Sequence, residues 1–431
     1  MRTAAIFTDH MVLQREKPIQ VWGDGKDGRR VTVTLGGQSA SGTVRDGRWS
    51  VTLPPMPAAE GLTMTVRSGA VQIVYRDIAV GEVWLCGGQS NMEFEIKDEL
   101  NGQATLDALT PACGVRFYYT PKQRMTGGDF ERIERKAKWT TASPEQSRAW
   151  SAVGLYLALE LSQKLGVTVG LIGCNWGGTS ASAWVSRDVL ESDSALQAYL
   201  ADYDNAVAGK TDAELNAAYD AYIAYQEKWW SDYCRLLEQQ PDIGWNDALK
   251  IVGESRYPGP MGPKNENRPC GLYETMLQRV CPYTLRGFLF YQGESDDHHP
   301  ETYETLLMAL IGCWRRDWGE PDLPFLNVQL PMFQNAYDPD FKHWSIFARR
   351  RLMYTADCGI QDLPCLRTAV SLTIFTRRRR QLSDTGLRFR RSVRCITECR
   401  VLKHLRRCSG WDILRAAVIL SEPKMHPVGS V

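Results

Sequence analysis

The sequence predicts an α/β protein whose parallel sheet is covered by helices on both faces, preceded by a smaller all-β region. Three observations lead to this prediction. Short alternating runs separated by glycine-containing turns fill residues 1–78. From Gly81 onward, apolar strand-like runs alternate with segments of helical period. Glycine turns follow several of these runs, at the strand ends where open α/β sheets carry their functional groups.

Composition and charge are those of a globular protein of two or three domains. The chain has 431 residues, of which 43% are hydrophobic and 23% charged, with a net charge of +1. No apolar run approaches the ~20 residues that a membrane helix needs. The first residues lack a signal-peptide core, so we expect a cytoplasmic protein or a missing export signal. The 12 cysteines form no CxxC pair, which favours buried free thiols over disulfides or zinc ligands.

The elements follow in order. Residues 1–78 predict a β-sandwich with strands near 12–13, 19–22, 31–35, 49–53 and 64–67. Residues 79–346 predict the α/β domain, with strands near 83–86, 167–172, 287–291 and 325–330 and a polar, helical insertion at about 187–265. Ser151 caps a helix of about 14 residues that Gly166 ends. Residues 347–431 form an anomalous basic tail with little amphipathic period.

Ser90 follows the apolar strand and the pair Gly87-Gly88, so its hydroxyl lies at the carboxyl edge of the predicted sheet. A serine there can be a nucleophile if a base takes its proton and backbone donors hold the oxyanion. It is also compatible with a helix cap that does no chemistry. Gly177-Gly178 and Gln292 follow later strands, and this convergence favours the nucleophile.

Three ordered blocks resemble the sialate O-acetylesterase family of SGNH hydrolases. They are 88–92 (Gly-Gln-Ser-Asn-Met), 177–179 (Gly-Gly-Thr) with Trp184, and 291–295 (Tyr-Gln-Gly-Glu-Ser), with flanking matches at 7–14, 151–154, 267–269 and 314–319. The resemblance runs from about residue 6 to 346. It implies a three-layer α/β/α, flavodoxin-like hydrolase domain. It also implies hydrolysis of acetyl esters on sugars, above all 9-O-acetyl sialic acid, by a usually exported protein.

The resemblance also implies residue roles. Ser90 would be the nucleophile, and its own N–H, a backbone N–H near Gly177 and the Gln292 side chain would hold the oxyanion. Gly177, Gly178 and Glu294 would form the oxyanion hole and substrate-binding set. Glu294 would orient Gln292 or close the pocket floor. The implied partner is a small acetylated sugar. No cofactor, metal, nucleic acid or membrane partner is expected, and the oligomeric state is left open.

The family's last block, Asp-x-x-His-Pro, is absent, so the catalytic histidine and aspartate of the triad are absent from this sequence. Residues 347–431 carry 18 Lys/Arg and only 6 Asp/Glu. A reading-frame shift near residue 347 explains both observations. Plausible codons for residues 368–377, read from the third base, encode Asp-Cys-Gly-Val-Thr-Asp-Asn-Ile-His-Pro. We therefore expect an out-of-frame tail and impaired activity.

Several alternatives stay open. The chain is also compatible with an acetyl-xylan or other carbohydrate deacetylase, or with a non-catalytic carbohydrate-binding protein. Residues 296–299 (Asp-Asp-His-His) suggest a metal site, but a solvated loop or substrate rim is favoured because no second ligand cluster is evident. A zinc site or nucleic-acid contact in the tail is disfavoured. Trp176 and Trp184 favour the core over sugar platforms, whereas Trp229, Trp230 and Trp245 suit a sugar cleft and internal packing equally.

Overall fold

The computed structural model describes residues 1–297, 299–328, 330 and 369–372. The predicted out-of-frame tail, 347–431, lies outside these residues apart from one short strand. The strands are β1 (Arg2–Thr3), β2 (Val12–Gln14), β3 (Ile19–Asp24), β4 (Arg30–Leu35), β5 (Gln38–Thr43), β6 (Arg48–Leu53), β7 (Ala59–Ser68), β8 (Val71–Gly88), β9 (Val115–Tyr119), β10 (Thr140–Thr141), β11 (Val169–Asn175), β12 (Gly287–Tyr291), β13 (Phe325–Val328) and β14 (Ala369–Leu372).

The helices include the predicted helix after Ser151. They are α1 (Ser90–Glu93), α2 (Gly102–Asp107), α3 (Phe130–Glu134), α4 (Ala152–Leu165), α5 (Arg187–Glu191), α6 (Gln197–Val207), α7 (Asp212–Gln239), α8 (Trp245–Val252), α9 (Gln278–Val280) and α10 (Tyr303–Trp318). The prediction for α4 is confirmed: it has 14 residues, the Ser151 hydroxyl accepts from Gly154 N–H, and Gly166 ends it at φ +63°.

The N-terminal strands form two sheets that share one core. One sheet pairs β1, β3 and β6, and the other pairs β5, β4, β7 and β8. Side chains alternate between buried and exposed along β4 and β6. The inward-facing residues of these two strands are all buried in the core: Val31, Val33, Leu35, Trp49, Val51 and Leu53. This arrangement supports the predicted β-sandwich.

β8 connects the N-terminal sheet to the central one. It runs without interruption from Val71 to Gly88, and every residue from Ile78 onward is buried. Its first half pairs antiparallel with β7, and its second half pairs parallel with β11 and β12. The predicted domain boundary between 78 and 79 therefore falls inside a single strand, and the division into domains stays a prediction.

The central sheet has the order β10-β9-β11-β8-β12-β13-β14. Its strands are parallel, apart from β10, which pairs antiparallel with β9. β11, β12 and β13 are buried along their whole length, as expected for parallel strands covered on both faces.

Helices cover opposite faces of this sheet. Cys86 and Gly87 are consecutive in β8, so they face opposite sides. α4 approaches the Cys86 side, where a Cβ on Gly154 would lie 3.2 Å from the cysteine Sγ. α10 covers the Gly87 side, where a Cβ would meet the Trp314 ring at 2.7 Å. The three-layer α/β/α prediction is thus confirmed. In the described residues, no helix combines the length and apolarity needed to cross a bilayer.

Candidate active site

Three strand ends lie side by side at the carboxyl edge of the sheet. The register pairs Gly88 of β8 with Asn175 of β11 on one side and with Tyr291 of β12 on the other. The next residue along each strand opens a predicted block: Gln89, Trp176 and Gln292. Because neighbouring parallel strands are about 4.8 Å apart, the three blocks start close together.

Ser90 is exposed between the buried residues Gln89 and Asn91. The turn before it requires glycine, because Gly88 has φ +131° and a Cβ there would lie 2.1 Å from the Tyr291 carbonyl oxygen. Ser90 is the first residue of α1, so its N–H has no acceptor within the helix. Hydroxyl and amide are therefore both available at the sheet edge, as a nucleophile requires.

The residues after β11 form a loop, 176–181, which we call the glycine loop. Gly177 lies against the serine, since a Cβ on Gly177 would be 3.5 Å from Ser90 Cβ. The Gly177 N–H, however, donates to the Glu93 carboxylate at 2.5 Å, and Glu93 is also paired with Lys122. The Gly177 amide is thus already engaged in this arrangement.

The next two amides of the glycine loop are different. Within the described part of the chain, the N–H groups of Gly178 and Thr179 have no hydrogen-bond acceptor. Gly178 adopts φ +77°, a left-handed conformation in which successive N–H groups can converge on an anion. Of the two predicted glycines, Gly178 is therefore the better candidate for an oxyanion donor. Thr179 adds a second donor that the sequence analysis did not name.

Gln292 is fully buried, and its side-chain amide is saturated. Its Nε2 donates to the Thr179 carbonyl oxygen at 3.1 Å and to the Asp296 carboxylate, while its Oε1 accepts from the Tyr303 hydroxyl at 2.8 Å. Both amide hydrogens are thus in use. The structure gives Gln292 a bracing position under the glycine loop, and the predicted oxyanion role would require one of these bonds to break.

Glu294 joins the loops after β12 and β8. It accepts a hydrogen bond from the Asn91 side chain, next to the serine. Gln89 adds two links, since its Oε1 accepts from the N–H groups of Gly293 and Ser295, each at 3.2 Å. Glu294 therefore stabilises the turn that presents Ser90, and its two predicted roles, orienting Gln292 or closing the pocket floor, stay predictions.

Asp296 is a residue whose position the sequence analysis did not anticipate. It is fully buried, and its carboxylate accepts from Ser180 Oγ at 2.6 Å, from Ala181 N–H at 2.9 Å and from Gln292 Nε2. The carboxylate suggested as a metal ligand is thus part of the framework that holds the glycine loop. Among the described residues, no three His, Cys, Asp or Glu side chains cluster as metal ligands would.

The described residues include two histidines, His10 and His299. His10 Nδ1 donates to the Asp77 carboxylate at 2.7 Å. Asp77 precedes Gly88 by eleven positions on β8, roughly 35 Å away at about 3.3 Å per residue. His299 packs edge-on against Tyr199, with ring centroids 5.3 Å apart, and lies 3.8 Å from the Asp202 carboxylate. The other four histidines of the sequence fall outside the described residues.

The predicted core tryptophans are buried. Trp184 is fully buried and donates to Thr179 Oγ1 at 3.0 Å, and Trp176 is 9% exposed beneath Arg124. In the insertion, Trp229 packs inside a small cluster whereas Trp230 is 58% exposed. The side chain of Trp245 lies outside the description. The cysteines of the described residues are free thiols.

The described fold has three layers, with an exposed serine at the carboxyl edge of the sheet. A crystal structure of a carbohydrate acetylesterase from Xanthomonas citri has the same fold. Its TM-score is 0.59 at 22% identity, and the match covers 86% of this chain and 68% of that one.

Sequence comparisons indicate which esterases this chain resembles. A family model described as carbohydrate esterase, sialic acid-specific acetylesterase, matches residues 264–360. The sialate O-acetylesterase of Mus musculus is 26% identical over 384 residues, covering 83% of this chain and 64% of the relative. That of Homo sapiens is 24% identical over 388 residues, covering 84% of this chain and 62% of the relative.

These matches confirm the resemblance stated in the sequence analysis: the chain is similar to sialate O-acetylesterases, which are carboxylic ester hydrolases. It spans slightly less than two thirds of the length of these relatives. The family match also continues to residue 360, past residue 346, where the predicted resemblance ends.

Proposed function

We propose that this chain is a serine esterase that removes O-acetyl groups from carbohydrates, with O-acetylated sialic acid as its substrate. The observation that carries the proposal is the exposed Ser90 hydroxyl against Gly177 at adjoining strand ends, followed by two backbone amides, those of Gly178 and Thr179, that have no acceptor among the described residues. A side chain that only capped a helix would not need such neighbours.

In the proposed reaction, Ser90 Oγ attacks the acetyl carbonyl carbon. The carbonyl oxygen becomes an oxyanion, which the N–H groups of Ser90, Gly178 and Thr179 stabilise, each such donor being worth about 3–4 kcal/mol in comparable sites. The sugar oxygen leaves with a proton, and water then hydrolyses the acetyl-enzyme. A histidine held by an aspartate would move these protons.

Because the sequence has no Asp-x-x-His block to supply the base, we also propose that this chain turns over its substrate slowly. Serine hydrolases that lose their base keep only roughly 10³–10⁴-fold acceleration over water, from the oxyanion site and binding. Hydrolysis of p-nitrophenyl acetate at a rate ordinary for serine esterases would contradict this expectation. Sequencing the source DNA across codons 340–431 tests the proposed frame shift, which is wrong if no alternative frame encodes the missing block.

The substrate test compares acetate release from 9-O-acetyl sialic acid and from acetylated xylan, with Ser90→Ala as the matched control. Ser90 is exposed, so its loss should leave folding unchanged. Release from the sialic acid that depends on Ser90 supports the proposal, and preference for xylan supports the general deacetylase. Sugar binding that Ser90→Ala leaves intact, without acetate release, would instead indicate a carbohydrate-binding protein.

A further inference from the structure

Asn267 belongs to the segment that follows the helical insertion, and its side chain contacts the glycine loop. Its Nδ2 donates to the Gly178 carbonyl oxygen at 3.0 Å, and its Oδ1 accepts from Ser180 N–H at 2.8 Å. One side-chain amide therefore spans three residues of the loop. Asn267 is itself held in place, because its N–H donates to Asn265 Oδ1 at 2.7 Å.

Tyr257 contacts the same carbonyl group. Its hydroxyl donates to the Gly178 oxygen at 2.7 Å, so this oxygen accepts two hydrogen bonds. Burial, and then the nearby Glu266 carboxylate, raise the pKa of Tyr257 to about 12. The hydroxyl therefore keeps its proton at neutral pH and remains a donor.

These contacts determine the direction of a neighbouring amide. In a trans peptide the C=O and N–H groups point in opposite directions within one plane. The Gly178 oxygen and the Thr179 N–H belong to the same peptide unit, so two donors on the oxygen orient that N–H away from Asn267 and Tyr257. Hydrogen bonds to the oxygen also polarise the unit and strengthen its N–H as a donor.

We propose that Asn267 and Tyr257 are positioning residues for the esterase reaction, and that they hold the Gly178–Thr179 peptide so that its N–H, that of Thr179, can donate to the oxyanion formed at Ser90. This inference rests on the proposed function and extends it. It assigns to the return segment of the insertion a direct effect on the acyl-transfer step.

The test uses Tyr257→Phe, with Tyr225→Phe as the matched control. Each change removes one hydroxyl that donates to a backbone carbonyl, that of Gly178 at 2.7 Å and that of Glu254 at 2.8 Å. Tyr257 is 50% exposed, so the phenylalanine should not disturb the core. The measurements are kcat and KM for p-nitrophenyl acetate, the melting temperature, and the rate at which an alkyl fluorophosphonate labels Ser90.

Labelling provides a readout that does not require complete turnover. Ser90 Oγ forms a bond to phosphorus, the P–F bond breaks, fluoride leaves, and the hydroxyl proton passes to solvent. We expect Tyr257→Phe to lower both kcat and the labelling rate about tenfold, with KM changed by less than about twofold. Asn267→Ala should lower both rates further, and Tyr225→Phe should leave both rates unchanged.

Each result of these measurements either supports or overturns the positioning role of Asn267 and Tyr257. If Tyr257→Phe and Asn267→Ala lower the melting temperature but not the labelling rate, the two residues are structural and the inference is overturned. If the unmodified chain labels at Ser90 and the variants label more slowly, the inference holds even where no acetate is released and the proposed function fails. A chain that neither labels nor releases acetate overturns both.

Discussion

The two loops that flank the serine turn differ in how they use their polar groups. The Gln292 loop, residues 292–297, buries the side chains of Gln292 and Asp296, which bond to each other and to the glycine loop. The glycine loop is held at nearly every polar position but leaves the amides of Gly178 and Thr179 without acceptors among the described residues. The Gln292 loop therefore supports the glycine loop, and the glycine loop keeps two N–H groups that can bind the oxyanion.

Burial explains this difference. Gln292 is fully buried, and an unsatisfied buried polar group costs about 1–3 kcal/mol, so its amide must be saturated inside the fold. Gly178 is only partly buried, so its amide can exchange water for a reacting oxygen, whereas Thr179 is fully buried and its N–H has no acceptor among the described residues. A polar residue in a block that resembles the family therefore does not by itself identify the group that donates a hydrogen bond to the substrate.

The largest expected effect is at Gly178. Gly178→Ala places a Cβ 2.2 Å from the Tyr257 hydroxyl, at φ +77°, so the glycine loop must shift. A displacement of about 1 Å can reduce turnover about 100-fold. Gly209→Ala is the control, because Gly209 has φ +73° with open space around it. It should cost about 1–2 kcal/mol of strain without loss of Ser90 labelling. Equal labelling by both variants would contradict an oxyanion role for the glycine loop.

The substitution Asp296→Asn tests whether the Asp296 carboxylate supports the glycine loop. One carboxylate oxygen now accepts from Ser180 Oγ and the other accepts from Ala181 N–H and Gln292 Nε2, so the asparagine NH₂ would face a donor at either position. We expect the free energy of unfolding to fall by about 2–4 kcal/mol, measured by urea denaturation, with slower labelling as a consequence. Asp297→Asn at the next, partly exposed position should be nearly neutral. Unchanged stability of Asp296→Asn would remove the supporting role.

Gln292→Leu separates bracing from catalysis. Leucine preserves the volume but removes the hydrogen bonds of the Gln292 side chain with Thr179 O, Asp296 and Tyr303, so the free energy of unfolding should fall by about 1–3 kcal/mol. The labelling rate of the folded fraction should fall less than about tenfold. A loss of 10²–10³-fold at unchanged stability would instead show that Gln292 donates to the oxyanion.

The sequence predicted the elements of this site better than its contacts. Apolar runs located β8, β11 and β12 because buried parallel strands have little polar alternation, and Ser151 with Gly166 set the bounds of α4 because caps are local signals. The contacts that Glu93, Asn267 and Asp296 make with the glycine loop were not predicted, since their partners lie 84, 87 and 115 positions away along the chain. Pairings over such distances leave no local pattern.

The length of β8 has a consequence for how the molecule unfolds. The strand that presents Ser90 begins in the N-terminal sheet, and Tyr283 and Lys17 add hydrogen bonds between the two halves, to Val12 O at 2.8 Å and Leu285 O at 2.9 Å. Residues 1–78 cannot be removed without leaving part of β8 unpaired. We therefore expect both halves to lose structure in one cooperative transition, and a fragment beginning at residue 79 to be insoluble.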